Sequence, residues 1–179
     1  MSRRVQRRRR VSPDARRERA GGESLAMAEG PAALETAEQW QYQLRVDLVE
    51  DAAAAARVGA EHPGLGPLRD LLAAHDARLI CQYDAFAGYC GEAEAHGIEH
   101  YPLYAWTKAV IADPAKKAKY IKSFSIHVGG AEVYAKRAAD ALEAELLPLV
   151  GAGVVTRLAK HDTNPANSPQ MPEKYRAES

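Results

Sequence analysis

Residues 40–48 alternate apolar and polar side chains without a break, which makes this segment the clearest strand in the chain. The apolar residues stand at the even positions, and between them lie Gln41, Gln43, Arg45 and Asp47. A period of two is typical of a β-strand with one face buried. The fold must therefore contain a sheet with one apolar face and one polar face.

Two further segments repeat this alternation. In residues 121–128 the apolar side chains of Phe124, Ile126 and Val128 alternate with Ser123, Ser125 and His127. In residues 153–161 one set of alternate positions ends with Arg157, Ala159 and His161. Both segments are predicted strands, and both add polar side chains to the face that carries Arg45 and Asp47.

Helical periodicity fills much of the chain between these strands. Apolar residues from Leu68 to Cys90 recur at steps of three and four, which predicts one long helix ending at Gly97. The alanine-rich residues 50–58 predict a short helix, and residues 131–149 predict another after Gly129 and Gly130. Residues 100–111 are rich in aromatic and β-branched side chains and predict a strand, which a connection over residues 112–120 joins in a hairpin to residues 121–128.

The order strand, helix, strand, strand, helix, strand predicts an α+β fold of the ferredoxin-like split βαβ type (βαββαβ). Its four-stranded antiparallel sheet has the first and third strands at the centre, and two main helices cover one face. The other face is open. We expect this domain to span residues 38–162, with disordered tails over residues 1–37 and 163–179, since neither tail has a periodic apolar pattern.

Charge is distributed unevenly along the chain. Residues 1–20 contain nine arginines and two carboxylates, whereas the complete sequence contains 24 basic and 24 acidic residues. A basic arm thus precedes an acidic body, unless translation starts at Met27 and the arm is absent. No apolar segment is typical of a signal peptide or a membrane span, so we expect a cytoplasmic protein that does not enter a membrane.

The polar face of the predicted sheet is the candidate site. His127 would transfer protons and Asp47 would orient it, because a carboxylate near an imidazole can fix its orientation and raise its pKa. The predicted ligand contacts are Arg45, Ser125, Arg157 and His161. This arrangement predicts binding of a small, anionic molecule, and it leaves open both acid–base catalysis and an ordinary solvated sheet face.

Several alternatives remain open from the sequence. Nucleic acid could bind through residues 1–20 together with the lysines of the predicted hairpin, which are Lys108, Lys116, Lys117, Lys119 and Lys122. A protein-interaction or inhibitor module could use the open face, and a second copy of the chain could cover it as a homodimer. Backbone amides at Gly129 and Gly130 could bind an anion. No metal site is predicted, since only Glu92 and His96 have a suitable spacing, and no cofactor is identified.

Overall fold

The computed structural model describes residues 40–167 and 172–175. The predicted basic arm over residues 1–37 lies outside the described residues, as does part of the predicted C-terminal tail. Residues 163–167 continue from the last strand, and the amide of Thr163 donates a hydrogen bond to the carbonyl of Gln41 over 2.8 Å.

One antiparallel sheet of four strands organises the described chain. The strands are β1 (Tyr42–Leu48), β2 (Ala77–Cys81), β3 (Ser123–Val128) and β4 (Val155–Asp162). Their order across the sheet is β2-β3-β1-β4. The strands predicted over residues 40–48, 121–128 and 153–161 are confirmed as β1, β3 and β4. The first and third strands are central, as predicted.

Six α-helices complete this mixed α+β fold among the described residues. They are α1 (Glu50–Arg57), α2 (Gly66–Ala74), α3 (Gln82–His96), α4 (Tyr104–Ala112), α5 (Pro114–Tyr120) and α6 (Lys136–Leu146). Short 3-10 helices occur at Pro63–Leu65, Ile98–His100, Leu147–Leu149 and Glu173–Tyr175. In the described part of the chain, no helix has the length and apolar character needed to cross a lipid bilayer.

The core lies between one face of the sheet and helices α1, α2 and α6. The sheet contributes the apolar set of the alternation, including Leu44, Val46, Phe124 and Ile126, each at most 1 % exposed. The facing helices contribute Ala52, Ala53, Leu68, Leu72, Ala139, Leu142 and Leu146. Burial of this apolar face fixes the other set of side chains on the opposite face, since successive residues of a strand point to opposite sides.

The long helix predicted from Leu68 to Gly97 is wrong, because β2 interrupts it. Helix α2 ends at Ala74, and Asp76 then takes a positive φ of 49°. Aspartate tolerates this left-handed conformation better than most residues. Leu79 then pairs with Ile126 in the sheet. Two separate helices flanking a five-residue strand thus produced the apolar spacing of one continuous helix.

The strand predicted over residues 100–111 is also wrong, since this segment is mostly helix α4. Its aromatic side chains pack on α3: the ring of Trp106 meets that of Phe86 edge to face, with centroids 6.1 Å apart. Tertiary packing therefore overrides the β propensity of these residues. The predicted connection is helix α5, whose N-cap Asp113 accepts a hydrogen bond from the amide of Ala115 over 2.9 Å.

The predicted helix after the two glycines begins later than expected, at Lys136. Gly129 and Gly130 instead form a tight turn with φ values of 56° and 83°, which glycine adopts without steric cost. The amide of Gly129 donates to the carbonyl of Asp76, and that of Ala131 donates to the carbonyl of Val128. The amide of Gly129 is therefore used within the fold and is not free for the predicted anion site.

Candidate functional site

The sheet register gathers polar side chains on the face away from α1, α2 and α6. Arg45 and Asp47 of β1 stand opposite Ser125 and Ser123 of β3. On the other side of β1, Arg157 of β4 stands opposite Asp47. Four of the predicted ligand-contacting or catalytic residues are therefore near neighbours across the sheet.

A cavity of about 200 Å³ lies over this part of the sheet. Four of the six predicted site residues line it, together with side chains that the sequence did not indicate. The full lining is Arg45, Asp47, Gln82, Lys119, Tyr120, Ser123, Arg157, Ala159 and His161. Three strands and two helices thus contribute to one pocket. The fold brings together residues that are more than a hundred positions apart in the sequence.

The Arg45 side chain is partly buried and lines the cavity. It donates from Nε to the side-chain oxygen of Gln43. With its amide oxygen turned towards the guanidinium, Gln82 accepts from Nε over 2.8 Å and from Nη1 over 3.3 Å. Among the described residues, no carboxylate forms an ion pair with Arg45. Burial lowers the pKa of Arg45, with Glu132, Tyr120 and Asp47 acting in the opposite direction.

The amides that hold Arg45 are themselves anchored. Gln43 is 5 % exposed and donates from Nε2 to a carboxylate oxygen of Glu132 over 2.7 Å. The Gln82 side-chain atom that accepts from Arg45 also lies 3.5 Å from the hydroxyl oxygen of Ser125. The guanidinium is thus fixed in place by neutral oxygens, and its positive charge is not neutralised by a direct partner.

Asp47 and Arg157 form an ion pair at the sheet edge of the cavity. Arg157 Nη1 lies 3.6 Å from Asp47 Oδ2, and the Arg157 side chain is 59 % exposed. One nitrogen of the guanidinium is engaged, and the rest of the group remains accessible. Arg157 can therefore approach a ligand that enters from solvent.

His161 lies in the same cavity, opposite Gln43 in the sheet register. Burial is the largest influence on this imidazole, and the positive charges of Arg45 and Arg157 come next. Together they lower the pKa of His161 below its ordinary value of 6.5. His161 is consequently neutral at neutral pH.

The structure does not bring His127 to Asp47. His127 stands opposite Arg78 of β2, whereas Asp47 stands opposite Ser123. Ser123 and His127 are four positions apart on β3, which corresponds to about 13 Å along the strand. The predicted pairing of Asp47 with His127 is absent, and His127 is not part of the cavity lining. Ser125 is buried beneath Gln82, and Ser123 lines the cavity instead.

Three of the cavity residues that sequence reasoning missed come from elements that were misassigned. Gln82 follows β2 directly, and Lys119 and Tyr120 end helix α5. The Asp113-Pro114 pair was a usable signal for α5, because aspartate at an N-cap followed by proline is typical of a helix start. No local signal placed Gln82, since its position depends on recognising β2.

Three of the residues between positions 92 and 100 that could bind a metal have other partners. Glu94 accepts from Lys108 Nζ over 2.5 Å and from the Tyr104 hydroxyl over 3.0 Å. His100 Nε2 lies 3.6 Å from the Glu99 carboxylate. Within residues 40–167 and 172–175, no three His, Cys, Asp or Glu side chains come together in a way that could hold a metal ion.

Comparison with known proteins adds no relative to this geometry. No protein-family model, no curated protein and no solved structure matches the chain.

Proposed function

We propose that the cavity over the sheet binds a small anion. The observation that carries the proposal is the charge of Arg45, which is enclosed and hydrogen-bonded to the oxygens of two neutral amides. A charge-assisted hydrogen bond from such a guanidinium to a carboxylate, phosphate or sulfonate is stronger than one to a neutral group.

The balance of charges around the cavity supports an anionic ligand. Arg45, Lys119 and Arg157 contribute three positive charges, and Asp47 contributes one negative charge. Neutral His161 adds none at neutral pH. A solvated sheet face needs no such excess, and a partly enclosed site strengthens the attraction because the local dielectric is lower than that of water.

The same cavity offers a group for proton transfer. A neutral imidazole can accept a proton, and His161 lies among the residues that would contact the anion. We therefore assign any acid–base role to His161 rather than to His127. The role predicted for His127 with Asp47 has no support from the register.

We also infer that the domain is of the ferredoxin-like type. The strand order β2-β3-β1-β4 with all neighbours antiparallel supports this assignment. The helices between β2 and β3 depart from the βαββαβ plan, which has a hairpin at that point. The cavity receives Gln82, Lys119 and Tyr120 from this additional segment.

Titration with methanesulfonate, followed by backbone amide chemical shifts, tests the proposed function. We expect saturable shifts around Arg45 and His161, and a loss of roughly ten- to a hundred-fold in affinity for Arg45→Met. Arg137→Gln is the matched control, because this arginine is exposed on α6, on the opposite face of the sheet.

A second variant keeps the test decisive if Arg45→Met does not fold. Arg157→Gln changes an exposed side chain and should also weaken binding, with an unchanged amide spectrum away from the cavity. The proposal is wrong if the unmodified protein shows no saturable shifts in the cavity, or if both cavity variants bind as tightly as Arg137→Gln.

A second candidate function is nucleic-acid binding through α5. Lys117 and Lys119 are exposed, and neither forms an ion pair with a carboxylate among the described residues. Lys116, in contrast, lies 4.0 Å from Asp113. Retention on heparin that falls steeply with salt, and that Lys117→Gln weakens more than Lys116→Gln, would favour this function.

The predicted homodimer stays a prediction. A second copy over the polar face would cover the cavity, so sedimentation equilibrium with and without methanesulfonate would show whether self-association and anion binding compete. The roles of residues 1–20 and of a protein partner also stay predictions.

A further inference from the structure

A groove of about 470 Å³ continues the cavity beyond the carboxyl end of β1. Asp47 and Lys119 line both spaces, so the two are adjacent. The remaining lining of the groove is Leu48, Val49, Glu50, Ala118, Lys122 and Thr156. The ligand of the cavity therefore has room to extend in one direction along the end of the sheet.

Apart from four charged side chains, the wall of this groove has few free polar groups. The amide of Leu48 donates to the carbonyl of Lys122, and the amide of Val49 donates to the carbonyl of Val154, each over 2.9 Å. The hydroxyl of Thr156 donates to the carbonyl of Asp47 over 3.0 Å. With these groups paired, the wall presents mainly the aliphatic atoms of Val49, Ala118 and the Thr156 methyl group.

Charge in the groove is balanced, in contrast to the cavity. Two carboxylates, Asp47 and Glu50, accompany two ammonium groups, Lys119 and Lys122. A second negative charge on the ligand would thus meet as much repulsion as attraction. The groove instead suits an uncharged, mainly apolar group, whose burial is favourable in proportion to its area.

We propose that the ligand is an amphipathic organic anion, with its acidic head in the cavity at Arg45 and an apolar aryl or alkyl body in the groove against Ala118. This inference rests on the proposed function, because the cavity must hold the acidic head. It adds a class of ligand: organic acids with an apolar body rather than inorganic anions or dianions.

Two sulfonates of equal charge test the inference. Methanesulfonate supplies the head alone, and benzenesulfonate adds a planar body that can reach the groove. We expect benzenesulfonate to bind roughly ten-fold more tightly. Backbone shifts at Ala118 and Thr156 should respond to benzenesulfonate alone, whereas shifts at Arg45 should respond to both.

A pair of matched variants on α5 shows whether the additional affinity comes from the groove. Ala118→Gln places a long neutral side chain in the groove, and Ala115→Gln makes the same change at an exposed position of the same helix outside it. We expect Ala118→Gln to remove the preference for benzenesulfonate and to leave methanesulfonate affinity unchanged. Ala115→Gln should keep both affinities.

The outcomes separate this inference from the proposed function. If methanesulfonate binds at Arg45 but benzenesulfonate binds no more tightly, the groove inference is wrong and the anion site stands. A preference that persists in Ala118→Gln would also contradict the groove. If neither sulfonate produces saturable shifts at Arg45, the proposed function itself fails.

Discussion

Two cations on opposite faces of the sheet, Lys160 and Arg45, are held by opposite kinds of partner. Lys160 of β4 stands opposite Leu44, on the face packed against α6, and it contacts the carboxylates of Asp140, at 2.8 Å, and Glu143. Arg45, the next residue of β1 after Leu44, is on the other face and contacts only amide oxygens directly within the described chain.

This difference appears in the proton affinities of the two groups. Hydrogen bonds that Lys160 donates to the carboxylates of Asp140 and Glu143 raise the pKa of Lys160, whereas burial lowers the pKa of Arg45. A cation that is paired with carboxylates contributes to the structure, whereas an enclosed cation without such a partner can bind an anion. Lys160 and Arg45 differ because of their direct partners, and not because they lie on neighbouring strands.

The strongest test of the comparison removes packing from the helix-covered face. Phe124→Ala should lower the free energy of unfolding by about 3 to 5 kcal/mol, because it leaves a cavity in a fully buried site. Ser125→Ala, one residue further on the polar face, should cost about 1 kcal/mol. Urea denaturation measures both. Equal losses would mean that the two faces contribute similarly to stability.

Tyr134→Phe should have the next largest effect. The buried hydroxyl of Tyr134 accepts a hydrogen bond from the amide of Leu44 over 3.0 Å, so its removal leaves that amide without this partner. We expect a loss of about 1 to 3 kcal/mol in the free energy of unfolding. Tyr104→Phe is the control, since its hydroxyl contacts Glu94 at an exposed position; a similar loss there would contradict the argument from burial.

Exchanging each sheet cation for methionine separates structure from binding. Lys160→Met should lower the free energy of unfolding by about 1 kcal/mol or less, because its ion pairs are partly exposed, and it should leave methanesulfonate affinity unchanged. Arg45→Met should reduce that affinity. Weaker anion binding in Lys160→Met would show that the two charges act as one field.

The smallest expected effect is on the pH dependence of stability. The folded protein holds the pKa of His161 below 6.5, so near this pH the unfolded chain binds more protons than the folded chain. Stability should therefore fall as the pH falls through about 6.5. His161→Asn should flatten that part of the profile measured by urea denaturation, and an unchanged profile would exclude the effect.

Methanesulfonate affinity should change with pH in the opposite direction. Protonation of His161 adds a positive charge to the cavity, so binding should strengthen as the pH falls while the fold weakens. Loss of this increase in His161→Asn would attribute it to the imidazole.

The parts of the site that depend on local structure could be predicted from the sequence, and the parts that depend on tertiary packing could not. Arg45, Asp47, Arg157 and His161 were placed on the polar face correctly, because strand alternation is a local property. Gln82, Lys119 and Tyr120 were missed because their positions depend on helices packed against one another. The His127 pairing failed for a related reason: alternation fixes the face of a residue but not the register between strands.

The ion pair between Asp47 and Arg157 also determines when the cavity can form during synthesis. This ion pair and the hydrogen bond from the Thr156 hydroxyl to the Asp47 carbonyl both join β1 to β4. Thr156 and Asp47 are 109 residues apart in the sequence. Contacts so distant in sequence form slowly, since a long loop must close first. During synthesis β1 emerges early and must wait for β4. The nascent chain cannot assemble the complete cavity before His161 has left the ribosome.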